Sequence, residues 1–155
     1  MKKMFCLLLF VSLFIGCQSK KSQQLSCEYD TSGVHYVYTY DGDESGITSS
    51  SFIMTGPKAD FEITDDNEAE MLVMVREYFD ENYPGFSKLD LSIEGDLLTV
   101  GMIFEKSEFD EQLMVALYSQ EIMDLGLEHT GLTAMQEAME TIGAKQLLDI
   151  SCSIK

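Results

Sequence analysis

Basic residues are scarce in this sequence. Its 155 residues include 10 lysines and arginines against 27 aspartates and glutamates, a formal net charge of −17 at pH 7. Such a surface repels the phosphates of nucleic acids and anionic lipid headgroups, so the composition excludes nucleic-acid binding. An acidic surface attracts cations and basic partners. The plainer interpretation is that the charge keeps the protein soluble and away from a membrane surface.

The sequence also lacks the motifs of common enzymes. Its two histidines, His35 and His129, have no metal-ligand spacing to a cysteine or to each other. No nucleophile elbow and no glycine-rich phosphate loop is present. Acidic pairs such as Asp65-Asp66 are abundant, and helix caps and a solvated surface explain them. We therefore expect neither enzymatic activity nor a cofactor, and an enzyme built from dispersed carboxylates is kept as the last alternative.

No apolar run is long enough to span a bilayer, which takes about 20 residues. The longest one, Phe5 to Ile15, is interrupted only by Ser12 and follows two lysines. A basic start, a short apolar segment and a small residue before a cut are typical of a secretory signal. The tetrapeptide Phe14-Ile15-Gly16-Cys17 resembles the bacterial lipobox, in which the cysteine is diacylated and the chain is cut just before it.

These features divide the chain into three parts. Residues 1–16 are predicted to be the signal peptide, residues 17–24 the lipidated Cys17 with a flexible polar tether, and residues 25–155 a single domain. Two or more acyl chains, palmitate among them, hold a protein stably on a bilayer. We expect the domain on the extracytoplasmic side of the cell membrane or the outer membrane. Cleavage leaves 8 basic against 27 acidic residues.

Two cysteines remain once Cys6 is removed and Cys17 is acylated. Cys27 and Cys152 both fall on the apolar side of alternating, strand-like segments. In an oxidising compartment an even pair is expected to form a disulfide, which here would close nearly the whole domain. Two buried free thiols are the alternative.

Hydrophobic periodicity predicts an α+β fold. The expected order is β-β-α-β-β-α-α-β, an antiparallel sheet of about five strands with helices packed on one face. The strands are expected at residues 34–40, 47–55, 89–93, 97–104 and 145–154, and Phe61 and Ile63 either extend the second strand or start a short one. The helices are expected from Asp65 to before Pro84, over 108–124, and from Thr133 onward.

Local signals refine two of these helices. Met71, Leu72, Val75, Tyr78 and Phe79 form an apolar stripe on the first helix, and Met135, Ala138, Met139 and Ile142 form one on the last. The segment Thr133-Ala134-Met135-Gln136 matches a capping box, and Gly143 fits a left-handed C-terminal cap.

A family resemblance rests on two segments. Tyr36 to Asp43 reads Tyr-Val-Tyr-Thr-Tyr-x-Gly-Asp, and Leu132 to Lys145 reads Leu-Thr-x-Met-x-x-x-Met-x-x-x-Gly-x-Lys. With the lipobox, these segments look like the YehR-type family of small bacterial lipoproteins over most of the mature chain. The resemblance implies a fold and a location; that family has no established activity, so it supplies no catalytic residues. The cysteine pair is not part of the resemblance.

Two groups of residues are candidates for binding. Tyr36, Tyr38 and Tyr40 form a row that is either the buried face of the sheet or an exposed binding strip. Asp41 and Asp43 begin a segment like half of an EF-hand loop, but position 12 is Phe52 instead of a glutamate, so they are weak metal candidates and a hairpin turn is the plainer interpretation.

The leading functional hypothesis is a membrane-anchored, non-enzymatic binding or envelope module. Its partners would be the bilayer, through acylated Cys17, and a protein or small molecule that the sequence does not identify. The first alternative is an acidic, calcium-binding lipoprotein.

Overall fold

The computed structural model describes residues 22–82, 89–105, 124, 126 and 129–155. In these residues the predicted α+β fold is confirmed: six antiparallel strands form one sheet, and two α-helices accompany it. The elements in chain order are β1 (Gln23–Thr31), β2 (Val34–Asp43), β3 (Gly46–Pro57), α1 (Glu68–Asn82), β4 (Leu89–Glu94), β5 (Leu97–Glu105), α2 (Leu132–Gln146) and β6 (Ser151–Ile154). The helix expected over 108–124 lies outside the described residues, except for Asp124.

The strands follow the order β4-β5-β3-β2-β1-β6, and every neighbouring pair is antiparallel. The order predicted from the sequence omits β1, although Cys27 lies on an alternating, strand-like segment. β1 begins at Gln23, which pairs with Gly42. The last two residues of the predicted tether, Gln23 and Gln24, therefore belong to the sheet, because their backbone groups have ladder partners whatever the polarity of their side chains.

Two boundaries near the C-terminus were wrong. The last strand spans only Ser151–Ile154, because α2 continues to Gln146. Gly143 is not the C-terminal cap; Leu147 takes the left-handed conformation, with φ of 59°. A Cβ on Gly143 would lie 2.7 Å from Cγ1 of Ile150. The glycine thus lets the chain returning to β6 pass close to the helix.

The segment after β3 is a 3-10 turn, Lys58–Phe61, so Phe61 and Ile63 neither extend β3 nor form a strand. Glu62 ends this turn with a φ of 59°. α1 begins at Glu68, after a turn that includes Asp65 and Asp66. Local hydrogen bonds explain why residues 62–67 form a turn. The side chain of Asn67 accepts from the N–H of Thr64 at 2.7 Å and donates to the carbonyl of Glu62 at 3.1 Å. These bonds favour a turn over an extended strand.

One face of the sheet carries the hydrophobic core, and we call it the covered face. α2 packs on β1, β2 and β6 there, with Met135 and Met139 buried as its stripe predicted. α1 contributes Met71 and Leu72, which contact the same core, but Tyr78 is 55% exposed although the stripe placed it inward. The buried core residues from the strands are Leu25, Cys27, Val34, Tyr38, Tyr40, Ile47, Phe52, Leu98, Val100, Met102 and Phe104.

Candidate binding surface

The tyrosine row belongs to the covered face. Tyr40 is fully buried and Tyr38 nearly so, while Tyr36 is half-buried towards the far end of β2. Tyr38 pairs with Cys27 on β1 and with Phe52 on β3, both of which are buried. Of the two interpretations of this row, the buried face of the sheet is therefore correct and the exposed binding strip is wrong.

Aromatic rings fill the end of that face. The rings of Tyr29 and Tyr36 stack with centroids 4.9 Å apart, and Tyr38 packs on Phe52 at 5.1 Å. Burial raises the pKa of the Tyr29 hydroxyl, partly offset by its hydrogen bond with Tyr38. Tyr29 and Tyr38 also line a cleft of about 50 Å³ beneath α2. Ligand pockets usually measure about 300–1,000 Å³, so this cleft suits water-sized occupants only.

The β2–β3 turn uses its acidic side chains to organise its own backbone. Asp43 accepts hydrogen bonds from the N–H and the hydroxyl of Ser45, the first at 2.6 Å. Asp41 accepts from Gln24 at 3.0 Å and from Ser49 at 2.9 Å. In the part of the chain that the structure describes, no three His, Cys, Asp or Glu side chains are grouped as metal ligands.

The same turn docks onto the start of α2. Oε1 of Glu44 accepts from the hydroxyl of Thr133 at 2.7 Å and from its N–H at 3.3 Å. A Cβ on Gly131 would lie 2.7 Å from Glu44 Oε2, so only glycine permits this approach. The helix is therefore capped by a distant carboxylate instead of the predicted capping box, and its N-cap Gly131 makes no side-chain cap.

The disulfide joins the covered side of β1 to β6. Cys27 and Cys152 are register partners with an S–S distance of 2.05 Å and Cα atoms 4.1 Å apart. Gln24 and Lys155 exchange both backbone hydrogen bonds, at 3.1 and 2.9 Å. Alternation along the ladder then makes the cysteines a non-hydrogen-bonded pair, the type in which Cα atoms approach most closely. Cys27 is fully buried.

A buried lysine connects β3 to α1. Lys58 is 8% exposed, and its Nζ lies 2.5 Å from Oδ1 of Asp65 and 3.3 Å from Oε2 of Glu68. The hydrogen bond from Lys58 holds the pKa of the Asp65 carboxyl below its usual range, and the same bond raises the pKa of Lys58. Two carboxylates thus neutralise the one ammonium at this position.

The opposite side of the sheet, which we call the open face, exposes an apolar centre. One row of register partners crosses all six strands in the order Ser151, Glu28, Val37, Ile53, Gly101 and Asp90. Ile53 is 39% exposed, and Ile103, two residues further along β5 from Gly101, is 45% exposed. A Cβ on Gly101 would meet nothing closer than 3.6 Å, so the glycine leaves a shallow depression between these side chains.

Hydroxyls and carboxylates surround that centre. Thr39 and Ser51 border it on one side, and Thr55 and Thr99, whose hydroxyls lie 3.3 Å apart, border it on the other. The carboxylates that share this side of the ladders are Glu28, Asp30, Asp41, Asp90, Glu94 and Glu105. Two basic residues share this side of the ladders. Lys155 pairs with Gln24 of β1, and Nδ1 of His35 lies 3.1 Å from Oδ1 of Asp30. The open face is consequently acidic around an apolar centre.

The open face was not among the binding sites predicted from the sequence. The signal was present in the alternation: Val37, Ile53 and Ile103 fall on the polar side of strands whose other side is strongly apolar. Aliphatic residues on a solvent-facing row indicate an interaction surface when they are contiguous across strands. Their contiguity depends on the register of β2, β3 and β5, which a single sequence does not show.

The fold resembles two structures determined by NMR. The YehR protein of Escherichia coli aligns with a TM-score of 0.60 and 13% identity, over 79% of this chain and 88% of YehR. A protein from Streptococcus pneumoniae TIGR4 aligns with a TM-score of 0.51 and 11% identity, over 91% of this chain and 90% of the other. At these identities the likeness shows a YehR-like fold and nothing of activity. No protein-family model and no curated protein matches the chain.

Within the residues that the structure describes, no helix is both long and apolar enough to cross a bilayer. Cys17, the predicted lipidation site, lies outside those residues.

Proposed function

We propose that this chain is an exported lipoprotein of the YehR type, held on the extracytoplasmic side of a bacterial membrane through acylated Cys17, and that its domain is a non-enzymatic binding module. The observation that carries the anchor is the basic start, short apolar segment and lipobox-like Phe14-Ile15-Gly16-Cys17. The YehR-like fold is consistent with it.

The anchor would hold the domain close to the bilayer. β1 begins at Gln23, and the six residues from Cys17 can extend at most about 22 Å. The end of the sheet where Gln23 pairs with Gly42 would then face the membrane, together with the β2–β3 turn. Asp43 and Glu44 in that turn would be repelled by anionic headgroups, which keeps this end of the sheet at a distance from an anionic membrane surface.

Mass spectrometry of the membrane-bound protein tests the anchor. We expect the N-terminal peptide to begin at Cys17 and to carry a diacylglyceryl group. Replacing Cys17 with Ala should block acylation and leave an uncleaved or a released form, while Cys6→Ala, in the predicted signal, should change nothing. Finding unmodified Cys17 in the membrane fraction of the wild type would overturn this part of the proposal.

The binding role is supported by the open face. Contiguous apolar side chains on a protein surface mark interaction sites when polar residues rim them, and Val37, Ile53 and Ile103 are rimmed in this way. The covered face, in contrast, places its aromatic residues in the core. The proposal therefore assigns partner binding to the open face and the stability of the fold to the covered face.

Site-specific photo-cross-linking in intact cells tests this assignment. A photoreactive side chain at position 51, on β3 of the open face, should give discrete cross-linked products. The matched control is position 141, which is exposed on α2. Equal cross-linking at both positions would contradict a specific surface. Turnover of a panel of esterase, phosphatase, peptidase or glycosidase substrates by the purified protein would contradict the non-enzymatic role.

A further inference from the structure

The chemistry of the open face indicates which partner it fits. Its central row contains two carboxylates: Asp90 on the edge strand β4, and Glu28 on β1, which pairs on its other side with Ser151 of β6. Four strand intervals of about 4.8 Å separate them, a width of about 19 Å. Between them lie Val37, Ile53 and the depression at Gly101. The surface is thus an apolar strip on β2, β3 and β5 with one carboxylate of the central row on each side of it, Glu28 on β1 and Asp90 on β4.

An α-helix with its side chains is about 10–12 Å in diameter, so a helix lying along the strands covers the apolar strip and leaves both margins within reach of long side chains. Lysine and arginine can lay their apolar stems on such a surface while their charged ends reach out to carboxylates. Ile53 and Ile103 would contact the apolar stripe of the helix. Glu28 and Asp90 would face its basic flanks.

Other occupants fit less well. A second copy of this chain would bring another formal charge of −17 against the same acidic surface. Anionic lipid would be repelled by the same carboxylates, and nucleic acid likewise. A small molecule would find a shallow strip instead of an enclosed pocket, since Gly101 opens only a depression between side chains.

We propose that the open face binds a cationic amphipathic helix, with the apolar stripe of that helix on Val37, Ile53 and Ile103 and its basic residues beside Glu28 and Asp90. This inference rests on the proposed role of the open face as a binding surface and names the chemistry of the partner. The helix belongs to another polypeptide, since the net charge disfavours pairing between copies of this chain.

The absence of tryptophan makes a direct test possible. The chain contains no Trp, so a single Trp on the apolar side of a synthetic probe reports its own environment without background. The probe is a Leu/Lys amphipathic peptide of about 18 residues, long enough to be helical against a surface. The full chain is placed in nanodiscs of zwitterionic lipid, and empty nanodiscs are titrated in parallel. We expect saturable binding with a blue shift of the Trp emission beyond that of empty nanodiscs.

Variants locate the site. Glu28→Gln together with Asp90→Asn should weaken binding about five-fold at low salt, since each exposed ion pair contributes about 0.5 kcal/mol. Ile103→Ser should weaken it at all salt concentrations. The charge-matched control is Glu137→Gln with Glu140→Gln, on exposed positions of α2, and it should leave the affinity nearly unchanged. Ser51→Lys, which adds an ammonium group to the strip, should weaken binding most. Thermal unfolding of each variant verifies its fold.

Three results would overturn the inference. One is equal loss of affinity in the face variants and the α2 control, which would mean that net charge alone attracts the peptide. Another is equal binding of an all-Lys peptide of the same charge, which would mean that the apolar strip contributes nothing. The third is no binding of the Leu/Lys peptide while position 51 still cross-links in cells; the partner chemistry would then be wrong and the binding surface would stand.

Discussion

The two faces of this sheet are built from alternate residues of the same strands, yet they differ in burial and in polarity. β2 places Tyr38 and Tyr40 in the core and turns Val37 and Thr39 to the other side. On β5, Phe104 is fully buried, and its neighbour Ile103 is 45% exposed. Side chains on the covered face are constrained by α2 and by one another, whereas Ile53 and Ile103 on the open face keep 39% and 45% of their surface exposed. Substitutions on one face can therefore change stability with little effect on the binding proposed for the other face.

The disulfide should show the largest effect on the covered face. Replacing Cys27 and Cys152 with Ala opens a loop with a sequence separation of 125 residues. The free energy of unfolding should fall by up to about 5 kcal/mol on the chain-entropy estimate, and by less where the denatured chain keeps structure. Urea unfolding under oxidising conditions measures the change.

A relocated bridge supplies the control. Ser26 and Ser153 are register partners beside the native pair, on the open face of the same two strands. Adding Ser26→Cys and Ser153→Cys to the double-alanine protein closes nearly the same loop without filling the core. Recovery of most of the lost stability would assign the effect to loop closure, while no recovery would assign it to burial on the covered face.

Adjacent positions on β5 compare the two faces directly. Phe104→Ala removes a fully buried ring and should cost about 4 kcal/mol. Ile103→Ala, one residue earlier on the open face, should cost less than about 1 kcal/mol. Thermal or urea unfolding of both variants checks the difference. Similar losses would mean that the open face is covered in the native protein, contrary to its assignment as a free binding surface.

Gly143 tests how closely the covered face is packed. Gly143→Ala should raise the helix propensity of α2 by about 1 kcal/mol. The new Cβ would nevertheless lie 2.7–3.1 Å from three atoms of Ile150. Because one of these is the Cβ of Ile150, which moves only with the backbone, we expect a net destabilisation of about 1–2 kcal/mol. Adding Ile150→Ala should remove this steric conflict. If Gly143→Ala alone is more stable than the wild type, the chain at Ile150 can shift to make room for the new Cβ.

The same glycine illustrates what a single sequence can reveal. Alternation predicted the strands containing Tyr36, Phe52 and Val100, since one buried face imposes period two on each of them. The bridging partners Cys27 and Cys152 were identified in the same way. Gly143 was misassigned as a cap because a glycine near a helix end has the same sequence pattern whether it ends the helix or admits a neighbouring strand.

Residues whose roles depend on distant partners were missed. Glu44 caps α2 from 89 positions away, and nothing near Thr133 indicates it. The apolar centre of the open face is recognisable only from the register, which places Ile53 beside Gly101 and Ile103 beside Ser51. The tyrosine row is buried because the helices cover its side of the sheet. The sequence of β2 does not reveal which side that is, since residues on both sides of the strand could form a core.

Glu44 should make a moderate contribution that lies outside both faces. Glu44→Ala removes the acceptor for the N–H and hydroxyl of Thr133 and the negative charge beside the helix N-terminus, which should cost about 1 kcal/mol. Glu44→Gln retains an acceptor oxygen and should cost less. Unfolding measurements on both variants check this order, and equal losses would show that charge, not hydrogen bonding, supplies the stabilisation.

The ion pair that connects β3 to α1 should give the smallest effect, visible only as a pH dependence. Lys58 holds the pKa of Asp65 below its usual value of 3.8. The folded state therefore binds the Asp65 proton more weakly than the unfolded state does, so the pair stabilises the fold above about pH 4 and its contribution disappears as the pH falls through the lowered pKa. Because Asp65 is itself 91% exposed, solvent screens much of this attraction. Urea unfolding from pH 6 down to pH 2 should show a slightly shallower loss of stability in Asp65→Asn than in the wild type, whereas Asp66→Asn, at an exposed neighbouring position, should follow the wild type. If Asp65→Asn and the wild type lose stability in parallel over this range, Lys58 is neutralised by Glu68 instead, and the link between the covered face and α1 depends on that second carboxylate.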